Sequence, residues 1–396
     1  SGLTNLITEM HLDDFNNLYV AGYNVSSSNF AFTPNIYRID SAGNRVFFTT
    51  FNSLGNSPGA QGLINGLTTD RLTNTYFTTH YVAANRFDIQ GKFIRNRNAI
   101  VQFNDKGTFQ WAIESPLADF SDMITVDGRV FAIGVNAWNG CQFQTTNGGF
   151  NYTPSLNNKG EAFIMEINPA GQVLSFDAFG SAGNGGVTNP AKFRVKYPLV
   201  NQFFDYDTLR QNLMARKAVN GDILIAGMLD ATSIGQPVYF NSTVMANTLP
   251  SGVVNEKSLF ISRYNLNTGF TDAVNLMTGN PEFITDFKET SSGHYVLVGR
   301  AKNKLVTSAG TFNFPTQNYE YQIAASFSPT GTLDWMIYAD SMSFKAISVN
   351  NDGTVSVTAY MTTKFLMVDA LNNPYNLSPT PSVGSFLLRF DATGAL

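Results

Sequence analysis

The sequence predicts an all-β fold, a β-propeller of four-stranded antiparallel blades. Three observations predict it. A strand and a turn carrying Gly recur six times along the 396 residues, followed in five of the six copies by a second strand. A second hairpin precedes each copy. No segment shows helical periodicity over three turns, although 199–213 (LVNQFFDYDTLRQNL) has room for a short helix.

The blades follow in order, with strands lettered A to D. Blade 1 (6–61) reads ITEMHLDDFNNLYVAGYN for A–B and NIYRIDSAGNRVFFTTF for C–D. Blade 2 (62–121) reads LINGLTTDRLTNTYFTTHY and NAIVQFNDKGTFQWAIE. Blade 3 (122–211) reads DMITVDGRVFAIGVN and AFIMEINPAGQVLSFDAF. Blade 4 (212–281) reads LMARKAVNGDILIAGML and SLFISRYNLNTGFTDAVNL. Blade 5 (282–343) reads FITDFKETSSGHYVLVGRA and QIAASFSPTGTLDWMIY. Blade 6 (344–396) reads FKAISVNNDGTVSVTAYM and SFLLRFDATGAL and lacks its D strand, so either the ring closes imperfectly or the chain continues, with room then for a seventh blade. Together they make one propeller domain, 1–396.

Alternating residues suit half-buried strands, and DG, NG, SG or Asn/Asp clusters suit the dihedrals of tight hairpins. The D strand carries an aromatic expected near one register, at Phe48, Trp111, Phe176 and Trp335, with a smaller residue in the fourth copy. Each B strand closes on a small or β-branched pair: Ala21-Gly22, Thr78-Thr79, Ile133-Gly134, Ala226-Gly227, Val298-Gly299 and Thr358-Ala359. Gly inside a strand marks a close approach, here expected between adjacent sheets.

This pattern resembles the bacterial β-propeller repeat family labelled SBBP. The stretches that carry the resemblance are DDFNNLYVAG, VNGDILIAG and SSGHYVLVG, with the Gly-turn hairpins. NTYFTTH in blade 2 departs from it. The resemblance implies a secreted or cell-surface protein, often part of a larger polypeptide, and no enzyme activity.

Composition narrows the partners. Hydrophobic residues make up 43% and aromatics 13%, which excludes a disordered chain. Charged residues are 14%, against roughly 25% in an ordinary domain, so the surface suits packing more than electrostatic steering. A net charge of −4 and one isolated basic stretch, KFRVK at 192–196, exclude nucleic acid. No apolar run approaches the ~18 residues of a membrane span. Cys141, the single cysteine, reads as a buried side chain and allows no intrachain disulfide.

Function is expected on the face carrying the long B–C loops, 25–34, 84–97, 139–160, 231–257, 303–320 and 364–384, and the D–A connections. The richest sector joins loops 139–160 and 231–257 to the connection 181–211. Its candidate contact residues are Phe143, Phe150, Tyr152, Tyr197, Phe203, Phe204, Tyr206, Tyr239 and Phe240, beside Phe193. Such rings stack on sugars, anchor a protein partner, or pack the insertion onto its blade.

Asp205 and Asp207 read as solvated loop acids, and His11, His80 and His294 occupy unrelated repeat positions, so no metal or cofactor is expected. Sequons at Asn24, Asn151, Asn241 and Asn376 mark exposed loops. The leading expectation is a non-catalytic extracellular or particle-surface platform for binding, adhesion or assembly, with protein partners or its own copies. A lectin-like module that binds glycans is second. A propeller glycosidase or lyase is third, because its funnel should gather acids from several blades and no repeated acid stands out at the inner strand ends.

Overall fold

The structure is a computed structural model that describes residues 4–25, 32–54, 62–81, 86–94, 98–116, 118–136, 141–145, 148–152, 161–181, 213–230, 238–240, 243–245, 257–317, 319–340, 342–361, 365–368, 374–377 and 384–395. Every regular element among them is a strand, so the fold is all-β. The chain divides into two compact units, residues 1–180 with 195–215, and residues 181–194 with 216–396.

In the first unit, module 1 is an antiparallel sheet of Thr4–Leu12, Leu18–Val25, Phe32–Ile39 and Arg45–Thr50, strands A to D. Module 2 follows with Gly62–Thr69, Thr75–Tyr81, Asn98–Phe103 and Phe109–Ser115, and module 3 with Ala118–Val126, Arg129–Asn136, Glu161–Ile167 and Val173–Ser181. In the second unit, module 4 pairs Ile223–Asp230 with Lys257–Asn265 and then with the start of a 21-residue strand, Gly269–Glu289. That strand is D of module 4 and then A of module 5, which continues with Tyr295–Thr307, Glu320–Phe327 and Leu333–Ala339. Module 6 has three strands, Met342–Val349, Val355–Met361 and Gly384–Phe390.

The cores lie between successive modules. Tyr19, Ala21, Ile36 and Phe47 of module 1 meet Ile64, Leu67, Phe77 and Val101 of module 2. Ile100 and Trp111 of module 2 meet Phe120, Met123 and Met165 of module 3. Val298, Ala324 and Trp335 of module 5 meet Phe344, Ile347 and Leu388 of module 6. An alternating strand thus offers one set of side chains to the module before it and the other to the module after it.

Two register expectations need correction. Pairing puts Phe47, Trp111 and Trp335 at one position, opposite Arg38, Gln102 and Ser326, whereas Phe48 and Phe176 sit one residue further on and point to the other face. The shared aromatic has a defined task. Gly171 takes φ +79° in the C–D turn of module 3, and a Cβ there would lie 2.7 Å from Trp111 Cδ2. The Trp111 indole N–H donates to Pro169 O of the same turn at 2.9 Å. Phe47 stands against Gly107 and Trp335 against Gly394 in the same way, and Val274 replaces the aromatic against Gly331.

The second correction concerns the B-strand glycines. A Cβ on Gly134 would collide with the Asp119 carbonyl, and one on Gly299 with the Phe283 carbonyl. Both carbonyls belong to the A strand of the same module. The A strands of modules 1, 2, 3, 5 and 6 carry a bulge there, between Ile7 and Glu9, Ile64 and Gly66, Phe120 and Asp122, Ile284 and Asp286, and Phe344 and Ala346. The small residue therefore makes room for a bulge in its own sheet rather than for a neighbouring sheet.

Candidate functional site

Among the described residues, the long B–C connections of modules 2, 3, 5 and 6 form hairpins with a common use. In module 2, Arg86–Ile89 and Lys92–Ile94 form one, and its first strand pairs with Asn52–Leu54, which prolongs the D strand of module 1. In module 3, Cys141–Thr145 and Gly148–Tyr152 form another, laid on the D strand of module 2 through Ile113↔Thr145 and Glu114↔Gln144. Phe365–Val368 with Pro374–Leu377 repeats this on the D strand of module 5. The extended B strand of module 5 with Gly310–Asn313 does so on the D strand of module 4. Each insertion covers a sheet edge that would otherwise present unpaired N–H and C=O groups.

Phe143 lies in such a hairpin and is fully buried. Its ring centroid is 6.0 Å from Phe120, 5.7 Å from Phe163 and 5.6 Å from Phe176. It is a core residue and offers no surface to a ligand, which corrects its place among the candidate contact residues. Phe150 and Tyr152 stand on the returning strand, opposite Phe143 and Cys141, and Tyr239 and Phe240 on Val238–Phe240; their side chains are outside the described residues. Tyr197, Phe203, Phe204 and Tyr206 lie outside them altogether, as do Phe193, Asp205 and Asp207.

The A strands contain a repeat that sequence reasoning missed. Counting back four residues from the first residue of the A–B turn gives Glu9, Gly66, Asp122, Met214, Asp286 and Ala346. An acid thus recurs in modules 1, 3 and 5, directly after the bulge in each. The turn positions Asp13, Asp70, Val126, Ala218, Thr290 and Asn350 would have aligned them.

The carboxylates reach the following module. Asp122 Oδ2 accepts from Ala215 N–H at 3.0 Å, and Oδ1 from Met123 N–H at 2.8 Å. Asp286 Oδ2 accepts from Ile347 N–H at 3.0 Å, while its Oδ1 accepts from Phe287 N–H at 2.9 Å and from Arg216 Nη2 at 2.7 Å. Module 2 uses no side chain at this position: a Cβ on Gly66 would lie 2.6 Å from Met123 N. The Asp122 and Asp286 carboxylates are thus each fixed by backbone N–H donors of their own module and of the next A strand.

The histidines occupy separate settings. His11 Nε2 lies 3.0 Å from Thr69 Oγ1 of the next module, and burial lowers its pKa against the attraction of Asp13 and Asp14. His294 Nδ1 lies 2.7 Å from Asp334 Oδ2, and Ser326 Oγ donates to the same oxygen at 2.9 Å. The serine hydroxyl is thus bound to the carboxylate and not to the imidazole, which is not the order of a nucleophile activated by a base. Among the described residues no three His, Cys, Asp or Glu side chains gather as a metal would need.

A second feature lies in the 303–320 insertion. Phe312, Phe314, Tyr319, Tyr321 and Tyr338 form a continuous group of rings. Phe314 stacks on Tyr321 at 4.9 Å with planes 8° apart, and Tyr338 meets Phe312, Phe314 and Tyr321 edge-on at 5.2, 5.7 and 5.7 Å. Burial, with the nearby Tyr321 and Asp340, pushes the Tyr338 hydroxyl above its ordinary pKa. The alternation F-N-F and Y-E-Y at 312–314 and 319–321 is the signal that would have found this group.

No family model and no curated protein matches the chain. Among solved structures it is similar to virginiamycin B lyase from Staphylococcus aureus, at 12% identity over 95% of this chain and 88% of that one, TM-score 0.35. An exo-type rhamnogalacturonan lyase matches at 9% identity over 98% and 74%, TM-score 0.32. A thermostable family-43 glycoside hydrolase matches at 10% identity over 67% and 94%, TM-score 0.23. These proteins are enzymes, and the expectations of a non-catalytic platform and of no enzyme activity are withdrawn on that finding. At these TM-scores the likeness carries no substrate and no catalytic residue over to this chain.

Proposed function

We propose that the chain is a six-bladed β-propeller enzyme of the lyase or glycoside-hydrolase kind, acting on a polysaccharide. The blade reading is supported by the repeated modules, the cores between them, and the contacts of A strands within each unit, 1 with 2, 2 with 3 and 5 with 6. The observation that carries the enzyme reading is the pair of acids at one register of two A strands of the first unit, Glu9 and Asp122; Asp286 holds the same register in the second unit. Glycoside cleavage needs positioned carboxyl groups from different elements, and polysaccharide elimination needs a fixed base. Asp122 and Asp286 are fixed by backbone N–H donors, and Glu9 is half-buried at the equivalent place. An extracellular or cell-surface setting, as the SBBP resemblance implies, belongs to the same reading.

The test is turnover by the full chain on a panel of neutral and acidic polysaccharides, read as new reducing ends and as unsaturated uronates. The expected result is turnover of at least one polymer, with Glu9→Gln and Asp122→Asn each lowering kcat by about 10²–10⁴-fold at unchanged circular dichroism. A panel without turnover overturns the reading, and so does full activity in both variants.

A further inference from the structure

We propose that the ring group of the 303–320 hairpin is a binding site for a neutral sugar, with Tyr319 as the stacking surface. The inference stands apart from the acids of the A strands and from any reaction.

The hairpin is firmly placed. Lys304↔Asn313, Leu305↔Phe312, Val306↔Thr311 and Thr307↔Gly310 pair within it, and Phe314 N–H donates to Asn303 O at 2.8 Å. Leu305 is fully buried, and Ser308 Oγ accepts from Leu333 N–H at 2.7 Å. Phe314 and Tyr321 are buried, and the Tyr321 hydroxyl accepts from Thr316 N–H at 3.2 Å. Tyr319 rests on this base, 5.1 Å from Tyr321 with planes 68° apart, and is 41% exposed. An exposed ring held by a buried ring is ordered before any ligand arrives, which lowers the entropic cost of binding.

Ring and rim together select the ligand. A pyranose has one face of C–H groups and a perimeter of hydroxyls, and an aromatic ring beside polar side chains matches both. Asn313, Thr316 and Gln317 are exposed around the ring group and supply that rim. The charges nearby are already paired. Arg300 Nη1 donates to Glu320 Oε2 at 3.1 Å, and Lys302 Nζ lies 3.0 Å from Glu320 Oε1 and 3.9 Å from Glu282 Oε2. With both cations engaged by carboxylates, the surroundings favour an uncharged ligand over a uronate, a nucleotide or an acidic peptide.

The experiment is affinity electrophoresis of the full chain in gels holding one soluble polysaccharide each: β-glucan, xylan, galactomannan, starch and polygalacturonate. Retardation by at least one neutral polymer is expected, weakened about tenfold or more in Tyr319→Ala and changed by less than about threefold in Tyr319→Phe, because stacking uses the ring and not the hydroxyl. Thermal melting of both variants should match the parent, since the altered ring lies outside the buried group. No retardation in any neutral gel overturns the proposal, as does retardation by polygalacturonate alone, or unchanged retardation in Tyr319→Ala. Binding is read without turnover, so an inactive protein that still binds through Tyr319 refutes the enzyme reading and leaves this one standing.

Discussion

Asp13 shows how one residue of the repeat is put to work. Its carboxylate accepts from Phe15 N–H, Asn17 N–H, Asn17 Nδ2 and the Tyr19 hydroxyl. Burial pushes its pKa up, but the hydrogen bonds from Asn17, Phe15 and Tyr19 outweigh it and hold the carboxyl below its ordinary value. The stabilisation is therefore present above the unfolded pKa of about 3.9 and is lost as pH falls through the lower folded value. Melting temperature measured below about pH 4 should fall less steeply in Asp13→Asn than in the parent. His11 follows the same direction from the other charge type. Burial keeps the imidazole neutral in the fold, so stability is full above the unfolded pKa of about 6.5 and declines as pH drops below it. The parent should melt lower at about pH 5 than at about pH 7.5, and His11→Gln should remove most of that difference. Equal slopes in parent and variant would contradict either assignment.

At the scale of elements, the hairpin insertions of modules 2, 3, 5 and 6 each tie their module to the one before. Phe143 is the test of that role. Phe143→Ala should cost about 3–5 kcal/mol in urea unfolding, as for a buried aromatic, without altering retardation in polysaccharide gels. A variant that kept its stability and lost binding would restore the residue to a ligand surface. The B-strand glycines belong to the same scale. Gly299→Ala forces a methyl against the Phe283 carbonyl at the bulge and should cost about 1–3 kcal/mol. Ala at Gly43, which has open space but φ +86°, should cost about 1 kcal/mol from backbone strain alone. The order of the two midpoints checks whether the bulge, rather than glycine content, sets the cost.

Across the molecule, Asp286 joins three modules: Arg216 of module 4, its own module 5 and Ile347 N–H of module 6. Asp286→Asn removes the carboxylate charge that Arg216 Nη2 meets at 2.7 Å. The Arg216 side chain is 22% exposed, so the loss should be about 2–3 kcal/mol, below that of a fully buried pair. Urea unfolding measures it; a loss under about 0.5 kcal/mol would reduce the pair to a surface contact. Asp286 also shows why the acid repeat escaped the sequence. A bulge breaks the alternation just before each acid, and modules 2, 4 and 6 carry Gly66, Met214 and Ala346 at the position, so the acids align only once hydrogen bonds define the first residue of each turn.

The sequence by itself determined the strands and the Gly-bearing turns, because alternation and turn chemistry are local properties of the chain. Only the tertiary structure decided which face each side chain serves. A one-residue step moves a strand residue to the opposite side, which is how Phe47 and not Phe48 comes to meet a turn glycine. It likewise decided that Phe143 is core and Tyr319 is open, and that three acids far apart in sequence share one register. Those outcomes depend on how modules stack and where bulges fall, and neither is written in the composition of any single strand.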